Sequence, residues 1–346
     1  MDRNKQKTVA AWLLVCCGLI FVMVVLGGVT RLTHSGLSIV EWEPLVGTVP
    51  PLTDHDWQTL FEKYRRTPEY QQVNKGMSLD AFKGIFWVEY FHRLLGRLIG
   101  IVFLVPLVYF WLRGHLDRRL GLQLAGIFLL GAVQGALGWY MVASGLINEP
   151  RVSHFRLTAH LLLAFLIYAA ILWVALGQIW PRGEERAGAS PAPLRRMAWC
   201  VAGLVFAMVV TGGLVAGIRA GKAYNTFPLM NGHLVPPEIL MLDPWYMNFF
   251  NNMATVQFDH RLFAWTLAIL VPLLWIKVMR SNVSRRARRL THALLAVLAV
   301  QISLGISTLL LAVPVALGAA HQGGALAVLT VAIALNHALR RDGSRP

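Results

Sequence analysis

The chain alternates long apolar runs with short basic ones, and that alternation predicts its elements. Uncharged stretches lie at about 8 to 30, 120 to 148, 157 to 181 and 197 to 218, each able to supply the roughly 20 apolar residues that cross a bilayer. Residues 290 to 339 carry no Asp, Glu, Lys or Arg, which is room for two spans hinged near Pro314. Runs at about 89 to 112 and 256 to 276 carry charge only in their first turns. The pattern predicts an all-α polytopic membrane protein with eight transmembrane helices.

Composition agrees: 56% of the 346 residues are hydrophobic and 14% charged, too apolar for ordinary soluble domains. A net charge of +15 would suggest nucleic acid in a soluble protein, but here its placement decides. The N-terminal tail, residues 113 to 119, 181 to 197, 277 to 289 and 340 to 346 hold 19 of the 32 Lys and Arg against five acids, while the remainder holds 13 basic and 12 acidic residues. The positive-inside rule puts the first group, with both termini, in the cytoplasm and the 31 to 86 and 219 to 255 loops outside. Nucleic-acid binding loses its support.

Cys16, Cys17 and Cys200 all fall within predicted spans, so disulfides are not expected to pin the outer loops; they read as small apolar core residues. The first span has a basic start without a small-residue cleavage site, and reads as a retained helix. No Arg- and Ser-rich transit segment precedes it, which favours a bacterial inner (plasma) membrane over an organelle.

The chain also repeats itself. Val88-Glu89-Tyr90-Phe91-His92-Arg93-Leu94 returns as Val256-Gln257-Phe258-Asp259-His260-Arg261-Leu262. Gly27-Gly28 is echoed by Gly212-Gly213, Gln134 with Gly138 by Gln301 with Gly305, and His160 by His321. An even number of spans per copy relates the halves by an axis along the membrane normal. The expectation is two pseudo-symmetric four-helix bundles: residues 1–180, a cytoplasmic linker at 181–194, and residues 195–346.

His92, His160, His260 and His321 each fall early in a span running inward, so all four belong in the outer leaflet. Histidine in a membrane helix is expensive and is a functional candidate by default. One alone could be an interhelical hydrogen bond, but two per half at matched depth favour ligation, and paired histidines hold haem iron. Zinc would recruit cysteine or a tighter cluster. Gly96 and Gly323-Gly324 would let a flat macrocycle approach the helix backbone, and Arg93 and Arg261 are candidates to contact haem propionates, with Arg97 and Arg156 one turn away. The other seven histidines, His34, His55, His115, His154, His233, His292 and His337, read as solvated or helix-capping. Glu89 lies one turn from His92 and is a candidate proton acceptor; a salt bridge to Arg93 is its structural alternative. Gln257 replaces it in the second half, which favours the catalytic reading.

These residues, with Gly27-Gly28-Val29-Thr30-Arg31-Leu32-Thr33-His34-Ser35-Gly36-Leu37-Ser38-Ile39, Glu41-Trp42-Glu43-Pro44, Gly47 and Pro50-Pro51, resemble the haem A synthase family over nearly the whole chain. The resemblance implies oxidation of a methyl group of haem O to a formyl group for cytochrome c oxidase. It further implies that His92 and His160 flank the substrate haem, that His260 and His321 hold a resident haem b as electron relay, and that haem O synthase and oxidase-assembly factors are partners. Some relatives carry outer-loop cysteine pairs, which this chain lacks. The rival readings are a bis-histidine membrane cytochrome, expected to place haems near both faces, and a transporter, expected to use broken helices and a midplane site.

Overall fold

The computed structural model describes residues 3–41, 46–147, 150–180 and 190–342. Trp42, Glu43 and Pro44 of the loop signature, and residues 181–189 of the linker, lie outside the described residues. Eight helices are long and apolar enough to cross a membrane: α1 (Arg3–Leu32), α4 (Leu79–Leu112), α5 (Arg118–Ala143), α6 (His154–Ile179), α7 (Ala192–Gly217), α9 (Met253–Met279), α10 (Arg285–Leu310) and α11 (Val315–Asp342). Three short helices, α2 (Asp54–Arg65), α3 (Pro68–Gln72) and α8 (Asn248–Asn251), sit in the loops. The described residues form no β-strand beyond one isolated Met230–His233 bridge.

The break expected near Pro314 falls between Leu310 and Val315, where Ala312 and Val313 take left-handed φ of 56° and 64°. α4 differs most from expectation. It begins at Leu79, capped by the Ser78 side chain on Ala81 N–H, so Glu89 and His92 stand about three turns inside it rather than in its first turn. The added turns carry Phe82 and Phe86, which with Tyr90 pack against Trp57, Tyr64 and Tyr70 in an aromatic cluster that roofs the loop end of the bundle.

Packing follows the chain order. α1, α4, α5 and α6 close a ring in which each touches the next, and α7, α9, α10 and α11 close another; the rings meet where α1 and α6 lie against α11 and α7. The main core runs along this junction, with Leu13, Phe165, Ile171, Leu274, Leu326 and Leu335 fully buried. Leu98, Ile101, Val105, Leu129, Ile269 and Val300 point outward instead, as membrane helices require, since lipid solvates apolar side chains as well as a core does. Cys16 and Cys17 are buried in α1, but Cys200 lies on the exposed face of α7, so the core expectation fails for that one cysteine; all three are free thiols. His337 also departs from its expectation: it is buried, with its ring against Trp173 and Trp180 at 4.9 and 5.4 Å.

Candidate functional site

The four repeated histidines make one contact four times. Each turns its Cε1 edge onto a glycine of a neighbouring helix: His92 on Gly27 of α1, His160 on Gly138 of α5, His260 on Gly212 of α7 and His321 on Gly305 of α10. A methyl group at these glycines would stand 3.2, 3.0, 3.3 and 2.8 Å from the ring, so a side chain at Gly305 would displace the imidazole and one at the other three would press on it. Gln134 and Gln301 donate to the backbone carbonyls of His160 and His321 at 3.0 and 2.9 Å, holding that turn in the same way in both halves.

The donor chemistry suits a haem. The four side chains are half-buried; Nδ1 of His92, His160 and His321 is buried without a hydrogen-bond partner, and His260 Nδ1 lies 2.9 Å from Thr211 Oγ1. His260 and His321 have ring centroids 6.5 Å apart, close to the ~6 Å that two imidazoles need to share one iron at bonds of about 2 Å. No group of three or more His, Cys, Asp or Glu converges among the described residues. Two nitrogens alone would leave a bare ion underligated, whereas a porphyrin supplies the other four.

The glycines first expected to admit a macrocycle do something else. Gly96 faces Met23, Gly323 faces Val25 and Phe21, and Gly324 faces the Gln301 side chain; they are helix-packing positions. Gly27, Gly138, Gly212 and Gly305 were visible in sequence as repeat markers, but their role against the histidines needed the fold.

Glu89 is buried, 2% exposed, and its carboxylate is fully engaged. Oε1 accepts from Arg93 Nε and Nη2 at 3.0 and 2.7 Å, and Oε2 from Ser38 Oγ and Ile39 N–H at 2.7 and 2.9 Å. Arg93 also donates to the carbonyls of Ile39 and Glu41 at 2.8 and 3.0 Å. The ion pair offered as an alternative is therefore present, and four of the five Arg93 N–H groups go to protein oxygens, leaving one on Nη1. The second half repeats the device. Arg261 donates to the carbonyls of Tyr224 and Thr226, each at 3.0 Å, and to Gln257 Oε1 at 3.1 Å. Tyr224 and Thr226 follow Ile39 and Glu41 by 185 positions, the offset that also separates Gly27 from Gly212. The repeated arginine thus ties down the loop after α1 or α7, and Arg261 alone keeps a buried Nε without a partner. Arg156 is likewise committed, donating to Tyr140 O at 2.7 Å and lying 3.5 Å over its ring.

Sequence reasoning passed over Glu69, on α3 in the roof. Its side chain is 3% exposed and Oε2 has no hydrogen-bond partner. Burial, helped by the Glu89 charge and opposed by that of Arg219, raises its carboxyl to about 7. A lone Glu before a Tyr in a polar loop gives no periodic signal by which to find it.

Fold and site together define an all-helical, multi-pass inner-membrane protein with four half-buried histidines, two in each ring of helices. Residues 10–333 match the model of the cytochrome oxidase assembly protein family, and the chain belongs to that family. It is 62% identical to a heme A synthase of Nitrosospira multiformis over 97% of this chain and 95% of that one. It is 58% identical to one of Nitrosomonas eutropha, over 95% and 93%, and 46% identical to one of Arabidopsis thaliana, over 97% and 75%.

Proposed function

We propose that the chain is a haem A synthase, an oxidoreductase that converts a methyl substituent of haem O to the formyl group of haem A. The observation that carries the reading is the histidine-on-glycine contact made four times, two per half, in a chain nearly two-thirds identical to such an enzyme. Turning a methyl into a formyl group consumes one water and releases four protons and four electrons, so the site needs a proton acceptor, an electron outlet and water. His92 and His160 hold the substrate haem. Glu89, about a turn before His92, takes protons, and its four donors fix it in place. If both His92 and His160 ligated the substrate iron, iron-bound oxygen chemistry would lack an open coordination position, which favours addition of water to a methyl carbon first depleted of electrons, with Glu89 taking the proton. A haem b held by His260 and His321 supplies one-electron relay chemistry.

The halves, residues 1–180 and 195–346 with the linker at 181–194 between them, are related by a pseudo-twofold axis along the membrane normal. Both termini lie in the cytoplasm and both sites near the outer face; the loop charges support this orientation. Haem O synthase and oxidase-assembly factors are the partners that hand over substrate and receive product. The chain expressed in cells that make haem O but cannot convert it should yield extractable haem A. Two unmodified haems and no haem A would instead favour the bis-histidine cytochrome.

A further inference from the structure

Arg93 spends four of its five N–H groups on protein oxygens, so the two carboxylates of a bound tetrapyrrole call for cations beyond it. Three converge at the loop end of the junction between the rings, Arg31 in the last turn of α1 and Arg219 and Lys222 just beyond α7, with the imidazole of His34, just beyond α1, among them. Arg219 Nη2 lies 3.4 Å from His34 Nδ1. These two residues are repeat equivalents, 185 positions apart like Gly27 and Gly212, and both end their helix in the left-handed region, at φ of 56° and 61°. L-residues take that conformation uncommonly, and here the two side chains meet, the imidazole accepting from the guanidinium.

Crowding cations is costly unless something anionic answers them. The imidazole of His34 feels that crowding: burial lowers its basicity first, and the charges of Arg219, Arg31 and Lys222 lower it further. Among the described residues no hydrogen bond or ion pair engages the side chain of Arg31 or Lys222, while Glu69, the carboxyl whose charge reaches Arg219, is buried under the roof. Position fits the histidine sites. Arg31 is four residues beyond Gly27 and therefore on the helix face that meets His92, about 6 Å further out; His34 and Arg219 lie seven residues beyond Gly27 and Gly212, about 10 Å out.

We propose that Arg31, His34, Arg219 and Lys222 form a shared anion site at the junction of the two halves, which takes the propionate carboxylates of the tetrapyrroles bound on either side. The proposal rests on the reading that the paired histidines hold haems. A phosphate of an outer-leaflet lipid has the same chemistry, and the test separates the two sources.

Purified protein is stripped of haem and reconstituted in phosphatidylcholine nanodiscs with haem b or with its dimethyl ester, whose carboxylates are uncharged. Binding is read from the bis-histidine absorbance spectrum. Wild type should bind the free acid at least tenfold more tightly than the ester. Arg219→Gln with Lys222→Gln should abolish most of that preference while leaving ester affinity unchanged, which also reports an intact fold. An undiminished preference in the double variant, or none in wild type, overturns the proposal. Sensitivity to phosphatidylglycerol in place of sensitivity to esterification assigns the site to lipid and overturns it too. If neither compound gives a bis-histidine spectrum in wild type, the haem reading itself has failed.

Discussion

The two halves place the same arginine under the same loop, yet they answer it with different partners. In the first half Arg93 meets the carboxylate of Glu89, whose second oxygen accepts from Ser38 and Ile39. In the second, Arg261 meets the amide oxygen of Gln257, whose Nε2 donates to Ala220 O at 2.8 Å. The loops therefore present opposite polarity to position 89 and position 257: two donors in one case, an acceptor in the other. An amide suffices to anchor the loop where the backbone offers a carbonyl. A carboxylate is needed where it offers an N–H, and it brings a group able to take a proton beside the proposed substrate haem. Anchoring and chemistry are thus superimposed on Glu89, and separated by Gln257.

The largest effect expected follows from that superposition. Glu89→Gln removes the proton acceptor and also turns an NH2 group toward the Ile39 N–H, an unmatched pair costing about 1–3 kcal/mol. Haem A formation should fall by ~10²-fold or more, the scale of general-base catalysis. Ser38→Ala removes one donor to the same oxygen and leaves the charge, so it should cost less than about tenfold. The two rates are compared by extracted haem A per protein; equal losses would reduce Glu89 to a loop anchor.

A second comparison is between glycines. A methyl group at Gly305 would lie 2.8 Å from His321 Cε1, and one at Gly212 3.3 Å from His260 Cε1. Gly305→Ala should displace its histidine and lower haem b occupancy severalfold, while Gly212→Ala should leave most of it; haem-to-protein absorbance ratios check this. The reverse order would mean that the glycines do not set ligand position.

The smallest effect concerns the aromatic roof over the first half. With its carboxyl raised to about 7 from an ordinary 4.5, Glu69 is neutral in the folded loop at mildly acidic pH. Its stability contribution is complete below about pH 4.5 and is lost as pH rises through about 7. Amide exchange in α2 and α3 should therefore quicken between pH 5 and pH 8 by more than the intrinsic rate, by up to ~3 kcal/mol of opening free energy at 1.36 per unit. Glu69→Gln should flatten that dependence.

The eight spans and the internal repeat were legible because membrane helices must be continuous apolar runs and because duplicated chemistry leaves duplicated letters. The break between Leu310 and Val315 was legible from Pro314. What escaped has a common cause: it depends on which residues face each other across helices. Gly27 and Gly138 read as repeat marks until α1 and α5 brought them against His92 and His160. The sequence could not show that the carbonyls of Ile39 and Glu41 fold back over Arg93. The extension of α4 to Leu79 was missed because its first turns are amphipathic and pack against α2, outside any uncharged run.

The central claim is a division of labour, with substrate haem in the first half and resident haem in the second. It is tested most directly by the haem extracted from two purified variants, His160→Ala and His321→Ala, expressed with the same supply of haem O. The account predicts that His160→Ala retains haem b and lacks haem O and haem A, while His321→Ala lacks haem b and still carries haem O. The opposite assignment, or loss of both haems alike in each variant, would contradict it.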